Sequence, residues 1–460
     1  MLSNSMAADA LRAALGTGGD FAEIFYQDHT GESISLRDGK VESALTQRIH
    51  GAGIRVFKDL SCVYVHTSDT SAAGLLRAAQ RAADAVGGLP RDIQVNLVGS
   101  RGRNIHPVKA LPLDVPGARK AALLRSACAA AQDASASIAH VQTGLTSSQE
   151  EIQIFNSEGL ATSDYRVYTR LVVAAIASSG AENQTGVQGP GAMMGYELFE
   201  TRVDPDAAAR EAARAALTML SAKPCPAGRM PVVMDGGFGG VIFHEACGHS
   251  LEATSVALGN SEFSGKLGTQ IAAPCVTAID DGTIANEWGS INIDDEGTPT
   301  THLVLIENGI LKNYMIDKLN GRRMKAPATG SSRRQDYTFA PTSRMRNTYI
   351  AAGTDDEEEM IASVDCGLYA KQMGGGSVNP ATGEFNFSVA EGYMIRDGKI
   401  AEPVRGSTLI GKGADVLQKI DRVGPRMWMA QGLCGSISGS VPTNVGQPRI
   451  RISEITVGGR

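Results

Sequence analysis

No two of the seven cysteines, at positions 62, 128, 225, 247, 275, 366 and 434, form a C-x-x-C pair. Scattered and odd in number, they exclude a disulfide framework and fit thiols kept reduced. The opening MLSNSMAADALRAALG lacks a basic segment followed by an apolar run, so no secretory signal is expected. Long hydrophobic runs are missing as well. A window such as LVVAAIA (171–177) falls far short of the roughly 20 residues that cross a bilayer. Nor is there an excess of positive charge: 43 basic residues against 49 acidic leave a net charge of −6, which argues against a nucleic-acid footprint. No unit of about 20–50 residues repeats along the chain. The expectation is a cytoplasmic protein that binds neither membrane nor nucleic acid.

What is present is apolar material for well-formed cores, 42% of 460 residues, and a length that suggests two domains of about 200 residues each. The first half carries Ala-rich segments with helical apolar spacing near the start and at 71–88, 116–134 and 205–220. Hairpin patterns lie between them, at 33–44 around Asp38-Gly39 and more loosely at 151–163. Strands with segregated long helices imply an α+β fold. After residue 224 the texture changes. The proline-bearing SAKPCPAGRM reads as a linker, so the boundary is placed between a domain at 1–224 and a second at 225–460. The second domain shows hairpins at 303–316 (Asn308-Gly309) and 391–404 (Asp397-Gly398), and an alternating QPRIRISEITVGG at its end. These predict a mainly antiparallel, barrel-like β domain wrapped around one helix. A short acidic-capped helix is expected in 355–365, and a flexible loop at the glycines 374–376. The basic run 321–346 is interleaved with Gly, Pro and Ser, which suits an ordered loop pairing with acidic groups as well as a phosphate site.

One stretch carries chemistry. FHEACGH (243–249) is almost the H-E-x-x-H of zinc peptidases, with one residue too many. In a regular α-helix, positions five apart sit about 140° from one another, so His244 and His249 could not share an ion. A π-type turn, at roughly 80° per residue, brings them within about 40°. The expectation is therefore a π-bulge at 244–249 or a break at Gly248, where the missing Cβ would ease the distortion. Two imidazoles, Glu245 and Glu252 on a short and otherwise apolar helix are costly to bury without a shared cation. The competing reading is a pair of hydrogen-bonded histidines with no metal. A third ligand would come from Glu252, from Cys247 or from a distant residue, Cys434 in QGLCGSISGSVP being favoured for its flanking glycines.

The sequence FHEACGHSLEA, with GLCG…VP…GQPRIRISEITVGG, NGRRM…RMRNTYI and AEGYMIRDGKI…PVRG, resembles the TldD/PmbA family of bacterial and archaeal metalloproteases. The match is to the catalytic TldD type, because the PmbA (TldE) type lacks H-E-x-x-x-H. The resemblance implies Zn2+ held by His244, His249 and Cys434, with Glu245 as the catalytic carboxylate. It also implies a dimer, with itself or with a PmbA/TldE-like subunit, enclosing a cavity that admits unstructured peptides. Where many relatives carry a longer Gln-containing stretch after Cys434-Gly435, this chain has SISGSVPTNVG. Tyr393, Arg322, Arg344 and His302 are the polar candidates for stabilising an oxyanion. The alternative function is a non-catalytic scaffold with a closed, structural metal site.

Overall fold

A computed structural model describes residues 1–89, 93–180, 182–379 and 382–459. The fold is mixed α/β. Its first sheet runs in the order Ser61–Thr67, Lys40–Lys58, Phe21–Arg37, Ile138–Asn156, Leu160–Ser179, Val98–Arg101. The two long hairpins that dominate it turn where the sequence predicts. Asp38 and Gly39 both take positive φ, 48° and 77°, as a two-residue hairpin turn requires. Helices Asn4–Leu15 and Ala72–Val86 bury their alanine and leucine faces in one core beside this sheet, and Gly117–Gln132 and Pro205–Ser221 do so in another. Ser3, Ser71 and Asp204 cap three of these helices through their side-chain oxygens.

Beyond residue 224 five strands close on themselves. Gly228–Met234 pairs with Cys366–Asn379, then come Glu384–Arg396, Thr408–Lys412 and Ile450–Gly458, which returns to Gly228–Met234. All pairings in this ring are antiparallel except the first, which is parallel. A neighbouring sheet runs Ile310–Leu311, His302–Glu307, Ala278–Asp281, Asn347–Ile350, Gly439–Gln447, Trp428–Ser436. The segment 241–256 sits between the two, with Ile242, Phe243, Ala246 and Leu251 fully within the core that the barrel strands build.

Two expectations fail here, each for a packing reason. The SAKPCPAGRM segment is no free linker: Lys223–Pro224 pairs with Val404 and Arg405, and the Cys225 N–H donates to the Arg405 carbonyl. The glycines at 374–376 are not a loop but the irregular part of the strand Cys366–Asn379, where a side chain at 376 would overlap Asn386 across the bulge. The basic run, in contrast, is the ordered and paired one of the two options. Arg333, Arg334, Arg344 and Arg346 are all buried, and Arg346 holds Asp280 through Nε at 2.8 Å.

Behind the 244–249 turn, a Cβ at Gly413 would overlap the Ala246 carbonyl. Gly413→Ala is therefore expected to cost about 1–3 kcal/mol in denaturant unfolding, the usual cost of overpacking, and to displace the turn.

Candidate metal centre

The strand Gly228–Met234, buried at its Val232–Met234 end, leaves the barrel at Asp235, and the chain turns through Gly237–Gly240 into Val241–Phe243. Residues His244–Gly248 then form a π turn, followed by a 3-10 turn at His249–Leu251. The bond that defines it joins the two histidines: the His249 N–H donates to the His244 carbonyl, five residues back. The expected bulge is present, but the expected reason for Gly248 is not. Its backbone is ordinary right-handed helix, φ −54° and ψ −52°. What demands glycine is Met345, whose Sδ occupies the place a Cβ would take.

The wider turn brings both rings to one point. Their centroids are 5.1 Å apart and their planes nearly perpendicular, at 82°. Cys434 joins them from the strand Trp428–Ser436, at the edge of the second-domain sheet. Its Sγ lies 3.3 Å from Nε2 of His244 and 3.3 Å from Nε2 of His249. A tetrahedral ion, bonded at about 2.0–2.1 Å to nitrogen and about 2.3 Å to sulfur, separates such donors by roughly 3.6 Å. The donor set therefore fits a metal. Among the described residues, no fourth His, Cys, Asp or Glu joins the three.

The outer nitrogens are held as well. Nδ1 of His244 lies 3.1 Å from the Thr348 hydroxyl, and Nδ1 of His249 lies 3.1 Å from Oε2 of Glu252. Such partners fix ring orientation and leave Nε2 for a metal. Glu252, one of the candidates for third ligand, contacts Nδ1 of His249 and lies outside the converging set. Cys247 is fully buried, its thiol pushed up by burial and then by Glu262, and it lies outside the converging set. Glu245 stands at the rim, a quarter exposed, with Oε2 3.8 Å from Nε2 of His249. Of the four oxyanion candidates, Arg344 alone bonds one of the three converging residues, and through backbone: it donates to the Cys434 carbonyl. Tyr393 donates to Glu391, Arg322 pairs with Asp20, and His302 pairs with Asp281. Sequence reasoning missed Thr348, which lies 104 residues from its histidine. Its only signal was membership of the family-like segment RMRNTYI.

A cleft of about 810 Å³ runs from Phe238, just before the turn, along Trp428–Gln431 of the strand that bears Cys434. Arg170 crosses it, donating to the carbonyls of Gly189 and Gln431. On the same strand Leu433 and, at the hairpin tip, Ile437 are exposed, by 64% and 77%.

Two imidazoles and a thiolate converging in a buried pocket, with a partly exposed carboxylate at its rim, are the parts of a metallohydrolase. Comparison with known proteins sharpens that class. Three family profiles cover the chain: PmbA/TldA metallopeptidase domain 1 at residues 22–86, the central domain at 110–220 and the C-terminal domain at 227–459. The chain belongs to the PmbA/TldD metallopeptidase family, and its activity is that of a peptidase. It is 38% identical to the metalloprotease TldD homolog of Haemophilus influenzae, over 96% of this chain and 93% of that one. A metalloprotease of Methanothermobacter thermautotrophicus is 34% identical, covering 96% of each. In fold the chain is similar to a crystal structure from Thermotoga maritima described as a candidate modulator of a DNA gyrase, with TM-score 0.79, 21% identity and coverage of 95% and 96%. It is also similar to TldE of Thermococcus kodakarensis, with TM-score 0.75, 18% identity and coverage of 96% and 97%. No helix among the described residues is long and apolar enough to cross a membrane.

Burial pulls the His249 ring towards neutrality, but the Glu252 carboxylate and the Cys434 sulfur outweigh it and hold the imidazolium well above its ordinary range. Burial opposes a Cys434 thiolate too, yet the two histidines carry the thiol well below its usual value. Chelator-stripped protein thus keeps a proton on His249 that a metal must expel, whereas the thiolate is already formed. Metal uptake at neutral pH is expected to release protons and to weaken as pH falls. Calorimetric titration in buffers of different ionisation enthalpy reads both.

Proposed function

We propose that this chain is a zinc-dependent metalloprotease that hydrolyses peptide bonds in small or unfolded peptides. The observation that carries the reading is the meeting of His244 Nε2, His249 Nε2 and Cys434 Sγ, with Glu245 beside them at the exposed rim. Zinc suits two imidazoles and one thiolate, and a relative from Saccharolobus solfataricus, 30% identical over 53% of this chain, bears the name zinc metalloprotease TldD homolog. His244, His249 and Cys434 hold the ion. Once bound, it supplies Lewis acidity to a water and to the scissile carbonyl. Glu245 takes the proton of the attacking water and returns it to the leaving amine, a role worth about 10²–10⁴ in rate. Thr348 and Glu252 keep the imidazoles turned inward while this happens.

The substrate enters as an extended chain. The strand carrying Cys434 lies at the edge of its sheet, and a peptide adding to such an edge is read through its main chain, whatever its sequence. The cleft along Trp428–Gln431 gives the rest of the peptide room. A dimer, with a second copy or with a PmbA/TldE-like subunit, covers Leu433 and Ile437 and encloses the centre, which restricts entry to unfolded chains. Likeness to TldE supports such a partner. The chain works in two units divided at 224/225, in the cytoplasm, where its seven unpaired thiols stay reduced.

Glu245→Gln is expected to retain zinc and lose peptide cleavage by about 10²–10⁴-fold, whereas His244→Ala loses the metal. Metal analysis beside a mass-spectrometric digest of a disordered peptide pool reads both. A fully active Glu245→Gln would remove the general base.

A further inference from the structure

Two of the three converging donors belong to one turn, but the third comes from a strand 185 residues away. Something must hold that strand in register to a few tenths of an ångström. The ladder with Gly439–Gln447 and the Trp288 bond to the Gly432 carbonyl hold the strand. At Cys434 itself the side chain bonded to the backbone, among the described residues, is Arg344, which has no exposed surface. Its guanidinium donates to the Cys434 carbonyl, and around the hairpin tip it donates to the Ser438 hydroxyl at 3.0 Å and the Gly439 carbonyl at 2.8 Å. Three donations thus clamp the turn and the ligand residue together. Of the two N–H groups that remain, the one on Nε faces Oε1 of Glu252 at 3.8 Å. Each of these two buried atoms lacks any hydrogen-bond partner. The other oxygen of Glu252 holds Nδ1 of His249.

We propose that Arg344 is a positioning residue of the metal centre, tying the strand-borne ligand Cys434 to the turn-borne ligand His249 through Glu252. The inference rests on the reading of the three donors as a metal site. Arg344 keeps the sulfur in place through the backbone and sets its positive charge 3.8 Å from the buried Glu252 carboxylate. Nε and Oε1, both buried and unmatched, stand 3.8 Å apart, so the contact between them is one of opposite charges and not a formed hydrogen bond. Lysine cannot replace this arrangement, because an ammonium group has no planar fork to reach three oxygens and a carboxylate at once. Arg344 is a holding group and not an oxyanion donor in this reading: three of its N–H groups go to the protein's own oxygens and its Nε faces Glu252.

The test is metal binding by the full chain, with cobalt as a spectroscopic probe and zinc in competition with a chromophoric chelator. Wild-type protein is expected to show a thiolate-to-cobalt absorption band. Its absence would overturn the metal site itself, and with it this inference. With the band present, Arg344→Lys, Arg344→Met and Glu252→Gln are each expected to weaken metal binding by about 10–100-fold and to shift the band. The double variant Arg344→Met/Glu252→Gln is expected to bind no more weakly than the poorer single variant, because both changes break one chain of contacts. A residue that only fills space would lower the melting temperature of the metal-free chain while leaving affinity and band unchanged, and that result overturns the proposal. Lost turnover with unchanged metal affinity overturns it too, since that is the mark of an oxyanion donor. Should Arg344→Met fail to fold, Arg344→Lys and Glu252→Gln decide the matter alone by the same two readouts.

Discussion

One hydrogen bond sets the rest of the centre in order, that from the His249 N–H to the carbonyl of His244. A regular helix would close its bonds one residue earlier and send the two rings to different sides. The five-residue step widens the turn so that both Nε2 atoms look at one sulfur. Such a turn is a poor local choice, and it persists because its surroundings leave no other. Met345 fills the space over Gly248, Gly413 presses on Ala246, and Phe243 and Leu251 are sealed in the core on either side. Geometry that the backbone resists is thereby enforced by packing that the core rewards.

Charge is managed by the same logic. A thiolate, a carboxylate and two imidazoles share a pocket with little water, where an unmatched ion costs about 3–5 kcal/mol. Each group here has an opposite or a donor: Cys434 faces two rings, Glu252 faces His249 on one side and Arg344 on the other, and His244 leans on Thr348. Glu245 alone of the acidic groups keeps a path to solvent. The division separates fixed, buried groups from one carboxylate that meets water, as the proposed general-base role of Glu245 would require. Likewise the strand bearing Cys434 is left at a sheet edge, while the strands behind it are paired on both sides.

Local signals were legible wherever a few neighbouring residues decide the outcome. The Asp-Gly and Asn-Gly turns at 38, 308 and 397 take the positive φ their hairpins need, and three of the four alanine-rich helices begin at Ser or Asp caps. The glycines at 374–376 misled, because glycine serves a loose loop and a crowded bulge equally, and only the partner strand tells which. The prolines near 224 misled in the same manner: at the edge of a sheet a missing N–H costs nothing, so a linker-like composition could join a strand.

The sequence by itself determined that a helical turn with histidines five apart must be distorted if it is to hold one ion, because the angular step of a helix is a property of the backbone alone. It also offered a short roster of sulfur and carboxylate donors and, through resemblance, chose among them. What only the tertiary structure decided is which groups stand behind the donors. Glu252 became the support of His249, Thr348 that of His244 and Arg344 that of Cys434, through contacts that two of the three make across 90 residues or more. Such contacts leave no periodic trace in a chain, since they depend on how the hairpin, the Asn347–Ile350 strand and the π turn stack in space.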